Sequence, residues 1–484
     1  MSTEATLVCI LAVPFLSAVA IALTGSRPNL RDALTVLGGV ILFALVGTIA
    51  PAISSGDRPE IILASSFGLV LRLEPLGFLF AVVASGLWIV TSFYSFGYMR
   101  AHKEDHQTRF FTCFAIAIGA AMGVATAGNL ITLFVFYEVL TLSTYPLVTH
   151  HGSEDARKAG RVYLGILLTT SIGFLLFAII GTYAVAGTLE FKDGGILAGT
   201  ASDTFICVLM LLYVFGIGKA ALMPFHRWLP AAMVAPTPVS ALLHAVAVVK
   251  AGVFSVVKIA VYVFGIDLLR DSGAGVVPMY VAAFTIVTAS LIALAKDNLK
   301  ARLAYSTISQ LSYIVLGAML ASSMGVLGGG MHIAMHAVGK ITLFFCAGAI
   351  YVTTHKTLVS ELDGLGRTMP FTFAAFGVAS LSIIGIPPLG GSWSKWHLML
   401  GAADAGQYIM IAVLMVSSLL NIAYLFPVVI RGFFAPPPDD APPPTLKEAP
   451  ILCLVPLCLT AAGSVMLFFY AGSIYRLLLP IVAE

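Results

Sequence analysis

Long apolar stretches, separated by short polar segments, recur along the whole chain. Each is close to the roughly 20 residues that an α-helix needs to cross a bilayer. The pattern predicts fourteen membrane-spanning helices, at about 5–24, 33–50, 76–98, 110–128, 130–149, 162–186, 204–222, 239–257, 277–295, 303–321, 325–352, 371–397, 407–430 and 450–475. No polar segment is long enough for a soluble domain, so residues 1–484 are predicted to form a single membrane domain.

Composition narrows the class of protein further. Hydrophobic residues make up 59% of the chain and charged residues only 10%, whereas soluble proteins carry about 25% charged residues. Because helices satisfy their own backbone polar groups in lipid, we predict an all-α polytopic membrane protein lying in the lipid bilayer. The net charge of +3 is small and spread over loops, which indicates no nucleic-acid partner.

The basic residues predict which side of the membrane each loop faces. Lys and Arg concentrate in cytoplasmic loops. If the N-terminus lies outside the cell, most of the 26 basic residues fall in cytoplasmic loops. The outer loops then hold Arg58, Arg72, Lys192, Lys258, Arg270 and Arg476. We therefore expect a multi-pass protein of the cell (inner) membrane, with both termini on the outer, periplasmic side.

Five ionisable residues are predicted to lie inside the membrane. Lys219, Lys250, Lys340 and Lys395 each fall within a span, and Glu138 is the only acidic residue placed well inside one. A charge at a helix centre costs roughly 2.5–3.5 kcal/mol on insertion scales, and such residues mark ion or proton pathways. Burial disfavours the charged form of both residue types, so a buried Glu–Lys pair can exchange a proton at modest cost. The alternative is a static ion pair that only holds helices together.

Prolines interrupt two of the predicted spans. Residues 216–252 hold four prolines within fifteen residues, and residues 381–400 hold a Pro-Pro pair followed by Gly-Gly. A straight helix does not accommodate these residues, and the freed carbonyls of a broken span can line a cavity. Because one break lies near Lys219 and the other near Lys395, the pattern indicates two inverted repeats with a site in each.

Two histidines and a lysine lie between the two breaks. His332, His336 and Lys340 are spaced by four residues, which places them on one helical face. Histidine titrates near neutral pH, so this stripe suits a hydrated proton pathway. Zinc is the rival interpretation, because histidines four residues apart can bind it, but no carboxylate or thiolate ligand is near in sequence. We expect no metal site.

Further polar residues are candidates for lining the pathway. Tyr305, Ser306 and Ser309 belong to a stripe of helical period, although hydroxyl stripes also serve only to hold membrane helices together. His244 lies six residues before Lys250, so the two side chains point in different directions. It is either part of the pathway or a hydrogen-bonded core histidine.

Four motifs carry a resemblance to a known family. They are GIGKAALMPFHRWLPAAMVAPTPVSALLHAVAVVKAG at 216–252, LKARLAYSTISQLSYIVLG at 299–317, HAVGKITLFFCAG at 336–348 and GIPPLGGSWSKW at 385–396. Over roughly 75–430 the chain resembles the antiporter-like subunits shared by Mrp-type cation/proton antiporters, respiratory complex I and membrane-bound hydrogenases. The resemblance implies two inverted five-helix repeats, at 110–257 and 277–430, each with one broken helix.

The resemblance also implies roles for the interior charges. Glu138 and Lys219 would form the proton-transfer pair of the first repeat, and Lys395 would be the terminal charge of the second. A central axis would run through Lys250, His332, His336 and Lys340. The chain departs from the family where Gln310 replaces a common histidine, and it has no long lateral helix after the last span.

The function implied is that of a proton-translocating subunit. We expect the D-type component of a multisubunit Mrp-type antiporter that exchanges monovalent cations (Na⁺ or K⁺) for protons, with other membrane subunits as partners. It would be an ion transporter and not an enzyme, without a cofactor. The alternative is a proton-pumping, non-redox subunit of an NADH:quinone oxidoreductase or a membrane-bound hydrogenase. An inert scaffold is the third hypothesis.

Overall fold

Helices make up most of the chain in its computed structural model, which describes residues 2–64, 68–437 and 445–482 apart from the side chains at 243 and 244. The all-α membrane class is thereby confirmed. In the first half the helices are α1 Thr3–Leu23, α2 Pro28–Ser54, α3 Pro75–Ala101, α4 Gln107–Ala125, α5 Leu130–Val148, α6 Glu154–Thr170, α7 Leu176–Ala186, α8 Asp203–Gly216, α9 Trp228–Ala231, α10 Thr237–Ala241, α11 Val248–Ile259 and α12 Ile266–Ser272.

The second half continues with α13 Val276–Ala295, α14 Leu299–Met319, α15 Ser323–Thr354, α16 Pro370–Ile384, α17 Gly391–Asp404, α18 Tyr408–Phe434, α19 Ile451–Phe469 and α20 Ala471–Leu478. Wider π-helical turns at Ser171–Leu175, Leu242–Val246 and Ala260–Phe264 join or extend neighbouring helices. The last of these turns carries the α11 span on to Phe264. The predicted end at residue 257 is therefore too early.

Ten helices among the described residues are long and apolar enough to cross a membrane, or eleven if a pair bent by 82° after Phe264 counts as one span. The predicted count of fourteen is not confirmed by this criterion. Two of the predicted spans, 204–222 and 371–397, contain shorter apolar helices, α8 and α16, because each is broken.

A small β-hairpin marks one end of the bundle. Strands β1 Glu60–Ala64 and β2 Leu69–Arg72 pair antiparallel, with Glu60 opposite Arg72, in a segment predicted as a loop. We call this end the hairpin end, and the opposite end, with residues 102–106, 149–153 and 355–369, the loop end. The proline-rich connection predicted at 435–444 lies mostly outside the described residues.

The first break occurs where the prolines predict it. Helix α8 ends at Gly216, a single tight turn follows at Gly218–Ala220, and the next helical segment begins at Trp228. The indole nitrogen of Trp228 donates to the carbonyl of Gly218 at 3.0 Å, so one freed carbonyl is satisfied inside the protein. Gly252 of α11 lies directly against this turn, where an added Cβ would sit 2.4 Å from the carbonyl carbon of Lys219.

The second break separates α16 from α17, again at the predicted position. Gly385 ends α16 with a φ of +95°, a conformation that favours glycine, and α17 begins at Gly391. The two breaks are confirmed, whereas the repeat boundaries at 110–257 and 277–430 stay a prediction.

Helix α15 is the central element of the fold. It is 32 residues long, begins with Ser322 as its N-cap and is almost entirely buried. Glycine allows close packing on α17, since a Cβ at Gly328 would lie 2.7 Å from the backbone nitrogen of Leu398. This contact brings polar side chains of α15 within reach of α17.

Candidate functional site

The tightest contact between buried ionisable groups on the predicted axis joins α11 to α15. The ammonium nitrogen Nζ of Lys250 lies 2.6 Å from Nδ1 of His336, and both residues are at most 1% exposed. Such a hydrogen bond needs a lone pair on one of the two nitrogens, so at least one group is neutral. Two positive charges at this distance would repel by about 6 kcal/mol at an effective dielectric constant of about 20. The two groups are therefore not charged at the same time.

His332 extends this pair along α15. Its ring centroid is 5.7 Å from that of His336, and its Nδ1 shares a hydrogen bond of 2.8 Å with Oγ of Ser394 on α17. The ring of Tyr313 stacks on His332 at 5.7 Å, and Nζ of Lys395 lies 4.9 Å from the Tyr313 centroid. Tyr313 thus bridges the histidines and Lys395.

A second route connects Lys340 with Lys395 through neutral side chains. Nζ of Lys340 donates to Oγ of Ser306 at 2.6 Å and to the carbonyl of Leu303 at 3.3 Å. The hydroxyl of Tyr424 donates to the same Ser306 oxygen at 2.8 Å and also hydrogen-bonds Asn421. The chain of contacts therefore runs from α15 through α14 to α18.

Asn421 completes this route. With its amide nitrogen facing Tyr424, its oxygen accepts hydrogen bonds from Nζ of Lys395 and Nε2 of Gln310, each at 3.2 Å. We assign this orientation because it satisfies both ends of the amide. Lys395 also donates to the freed carbonyl of Ile384 and to Oγ of Ser418, each at 3.0 Å. Lys395 borders a mainly apolar cavity of about 690 Å³.

Lys219 lies in the tight turn of the first break and contacts α5. Its Nζ donates to the carbonyl of Tyr137 at 2.8 Å and to Oγ1 of Thr141 at 2.5 Å, and it lies 3.2 Å from the Tyr137 ring centroid. Its backbone nitrogen donates to the Tyr137 hydroxyl at 3.1 Å. Lys219 is therefore held by α5 from both its backbone and its side chain.

Glu138 and Lys219 are the predicted proton-transfer pair, and that role stays a prediction. No contact within 4.0 Å joins them among the described salt bridges. Both carboxylate oxygens of Glu138 are buried and, among the described residues, lack a hydrogen-bond partner. Burial of a carboxylate without a hydrogen-bond partner costs free energy, so the buried position of Glu138 is energetically unfavourable.

The predicted lining residues have different positions. Ser306 lies on the route between Lys340 and Lys395, and Ser309 belongs to a separate hydroxyl cluster with Ser290 at 2.9 Å and Ser417 at 3.4 Å. Tyr305 is half-buried and lies near His226, at 6.3 Å between ring centroids, away from the axis. The side chain of His244 lies outside the described residues.

The sequence interpretation missed the contribution of α18. Ser417, Ser418, Asn421 and Tyr424 are spaced as one polar stripe in an otherwise apolar span, a signal of the same kind that identified α15. It also missed Ser394, which lies beside Lys395 in sequence and hydrogen-bonds His332.

Lys258 corrects two predictions. It was expected in an outer loop, but the α11 span continues past it, and its side chain is fully buried. Its Nζ is 3.0 Å from Oε2 of Glu74, which is 1% exposed. Glu138 is therefore not the only acid in the interior. Glu74 escaped notice because it directly precedes α3 at the end of a segment expected to be a loop.

Chemically, the arrangement suits proton exchange. Lysine, histidine, serine and tyrosine groups form two sets of contacts in the bundle interior, one on α11, α15 and α17 and one on α15, α14 and α18. Each of these groups can take and give a proton. Within the described ranges, no three His, Cys, Asp or Glu side chains converge as metal ligands do.

Comparison with known proteins places these contacts in a family context. The family described as "NADH:quinone oxidoreductase/Mrp antiporter, TM" matches residues 127–421. The predicted family resemblance is confirmed by this match. The matched segment includes every residue of the proposed axis from Glu138 to Asn421.

Similar proteins come from more than one kind of complex. The chain is 32% identical to the N-type component of the NADH-quinone oxidoreductase of Desulforudis audaxviator, over 83% of this chain and 82% of that protein. It is 26% identical to the D-type component of the Na⁺/H⁺ antiporter of Alkalihalophilus pseudofirmus, over 86% and 84%. It spans half of the longer NAD(P)H-quinone oxidoreductase chain 5 of Synechocystis, at 31% identity over 69% of this chain. The fold matches one polypeptide in the structure of the Mrp complex from Dietzia with a TM-score of 0.88, at 23% identity over 100% of this chain and 97% of that one.

Proposed function

Because this chain belongs to the family of NADH:quinone oxidoreductase and Mrp antiporter membrane subunits, we propose that it carries protons through the membrane as one subunit of a larger complex. The observation that carries this proposal is the continuous set of buried contacts from Lys250 to His332 and from Lys340 to Lys395. Stability alone does not require such a set, because replacing buried ionic groups by well-packed apolar ones is often neutral or stabilising.

Each residue has a chemical role in this proposal. Glu138 and Lys219 load the first half, and the electric field of Glu138 sets how readily Lys219 gives up its proton. Lys250 and His336 share one proton and pass it along α15. The hydroxyls of Ser306 and Tyr424 conduct between Lys340 and Lys395, while Asn421 holds Tyr424 and Lys395 together.

The specific complex we propose is an Mrp-type antiporter, with this chain as its D-type component. Similarity to such a component over nearly the whole length and the likeness to a polypeptide of an Mrp complex support this assignment. The cargo would be protons exchanged for Na⁺ or K⁺, and the partners would be other membrane subunits. The bias of basic residues supports placement in the cell membrane with the hairpin end and both termini outward.

A proton-pumping subunit of a redox complex is the second candidate. The 32% identity to the N-type component of an NADH-quinone oxidoreductase, over four-fifths of both chains, favours it specifically. The same interior charges would then move protons in response to electron transfer in partner subunits.

Inverted membrane vesicles that contain the chain with its natural partner subunits test both candidates. Addition of Na⁺ or K⁺ should collapse an imposed pH gradient, and Lys250→Met and Lys340→Met should abolish this response. Lys158→Met is the matched control because Lys158 is exposed. Proton uptake that requires quinone or H₂ turnover and no cation would replace the antiporter with the redox candidate. Unchanged transport in both interior variants would leave only the scaffold.

A further inference from the structure

A second buried carboxylate–lysine pair lies near the hairpin end, apart from the axis described above. Lys258 Nζ lies 3.0 Å from Glu74 Oε2 and donates to the carbonyl of Ala127 at 2.7 Å. Lys258 is 0% exposed and Glu74 is 1% exposed. The ammonium also lies 4.6 Å from the ring centroid of Phe191 and 5.9 Å from that of Tyr262.

This pair is connected to the axis by α11. Lys250 and Lys258 are eight residues apart on the same helix, which is about 12 Å along its axis. Because α11 runs from the bundle interior toward the hairpin end, Lys258 continues the series of lysines in that direction. Between the two levels, α11 carries Ser255, whose hydroxyl donates to the carbonyl of Ala251 at 2.7 Å.

Charged groups also lead from the pair to the surface. Arg72, two residues before Glu74, forms an ion pair with Glu60 at 2.5 Å. Arg58 pairs with Asp193 at 2.5 Å, and the Asp193 side chain is 57% exposed. The hydroxyl of Tyr262 is buried and has no hydrogen-bond partner among the described residues, although buried hydroxyls are nearly always satisfied by protein or water. The Tyr262 hydroxyl is thus a further polar group in the neighbourhood of the ion pair.

We propose that Lys258 and Glu74 form the outer transfer station of the first half, through which a proton passes between Lys250 and the hairpin end. This inference rests on the proposed function and adds a route to one surface. Lys258 gives its proton to the Glu74 carboxylate, which leaves both groups neutral. Glu74 then releases the proton toward the hairpin-end surface, where the carboxylates of Glu60 and Asp193 can accept it, and Lys258 is recharged from Lys250.

The competing account of the same geometry is a static ion pair that only holds α3 and α11 together, here called a clasp. Glu74 lies at the N-terminus of α3 and Lys258 in the last turn of α11, and both positions suit the respective helix dipoles. A clasp needs only that the two charges persist, whereas a relay needs a lysine that can lose its proton. Arginine separates the two accounts because its guanidinium keeps its charge under all working conditions.

The experiment compares Lys258→Arg with the double variant Glu74→Gln/Lys258→Gln in vesicles that contain the assembled complex. The double variant removes both charges together, which avoids leaving one buried charge unpaired. Proton transport is measured per assembled complex, with the amount of complex read from native gels. We expect both variants to assemble at wild-type levels and to transport about 10-fold more slowly or worse.

Wild-type transport in either variant would overturn the relay and leave the clasp. Lys250→Met, measured in the same series, distinguishes failure of the outer station from failure of the proposed function. If that variant is inactive while the Lys258 variants are active, only the outer station is wrong. If Lys250→Met is itself active, the proposed function fails.

Discussion

Lys250 on α11 and His336 on α15 have their side-chain nitrogens 2.6 Å apart in the buried centre of the bundle, so the two groups are not charged at the same time. His336 has a further polar neighbour along its own helix, since it faces His332 at 5.7 Å between rings. The pair is therefore the point at which the two halves of the proposed pathway meet.

Replacement of His336 by Gln should interrupt that meeting point. Glutamine keeps hydrogen-bonding capacity but does not exchange a proton near neutral pH, so we expect transport to fall about 10-fold or more. His397→Gln is the control, because His397 lies partly exposed and its hydrogen-bond partner among the described residues is the carbonyl of Trp393. The measurement is gradient dissipation in vesicles, and equal losses in the two variants would contradict the assignment.

Tyr424→Phe tests the route through hydroxyl groups. The change removes the hydroxyl that bonds Ser306 and Asn421 and keeps the ring. We expect a stability loss of about 1–2 kcal/mol from the lost buried hydrogen bonds, together with a clear loss of transport. Tyr94→Phe is the matched control, since the Tyr94 hydroxyl is buried and donates to the Phe345 carbonyl away from the pathway. It should lose stability to a similar degree and keep its transport rate.

Glu138→Gln should separate function from stability. The carboxylate has no hydrogen-bond partner among the described residues, so its replacement by a neutral amide removes a desolvation cost and breaks no described contact. We expect the purified complex to melt at the same temperature or higher, while transport is lost. Glu154→Gln, at an exposed position in the first turn of α6, should change neither property. A large drop in melting temperature for Glu138→Gln would indicate a structural role.

Gly252→Ala should displace the turn that carries Lys219. An added Cβ would sit 2.4 Å from a backbone carbon of Lys219, a contact that rigid backbone does not relieve. We expect a destabilisation of about 1–3 kcal/mol, with loss of transport. Gly165→Ala in α6 meets nothing within 4 Å and should be neutral or stabilising by about 0.5–1 kcal/mol. Thermal unfolding of both variants checks the difference.

Acidification should destabilise the loop end through His150. Burial lowers the pKa of His150 to about 4, and the nearby Arg109 lowers it as well, against the attraction of Glu104. The unfolded chain, with an ordinary histidine pKa near 6.5, therefore takes up a proton first. The contribution of His150 to the free energy of unfolding is therefore complete above about pH 6.5. It is lost as pH falls toward about 4, and the total loss is about 1–3 kcal/mol.

Glu104 acts in the same direction at lower pH. Burial favours its neutral form, but the hydrogen bond from His151 and the charges of His151, His150 and His102 outweigh this and leave its pKa lowered. Its contribution is present above its ordinary pKa and is lost as pH falls through the lowered one. The test is to measure the melting temperatures of wild type and His150→Phe between about pH 7 and about pH 4. The two should diverge as pH falls, because the variant lacks the histidine and is less sensitive to acid.

The proline and glycine positions made both helix breaks predictable, because backbone limits on these residues act locally. The stripe on α15 was predictable for the same reason, since spacing alone places His332 and His336 on one face. Sequence could not say which partner each residue meets. His336 meets Lys250 across the bundle, and His332 meets Ser394 because Gly328 lets α15 approach α17 closely.

The buried position of Lys258 could not be predicted from hydropathy. A charged residue at the end of an apolar run was taken as the start of a loop, but a π-helical turn continues the helix to Phe264 and buries the lysine against Glu74. Its partner comes from a segment 184 positions away by residue number (258 and 74), a distance over which periodicity carries no information. Glu138 lies within α5 as predicted, whereas its proton exchange with Lys219 depends on tertiary distances that sequence does not give and stays a prediction.

Helix α15 touches three different neighbours through three residues of one face: His332 reaches Ser394, His336 reaches Lys250, and Lys340 reaches Ser306. These contacts are 2.6 to 2.8 Å long, and a slide of α15 by a single residue rise, about 1.5 Å, would open all three together. The three contacts therefore depend on the position of one buried helix, and a shift of α15 relative to its neighbours would disturb all of them at once.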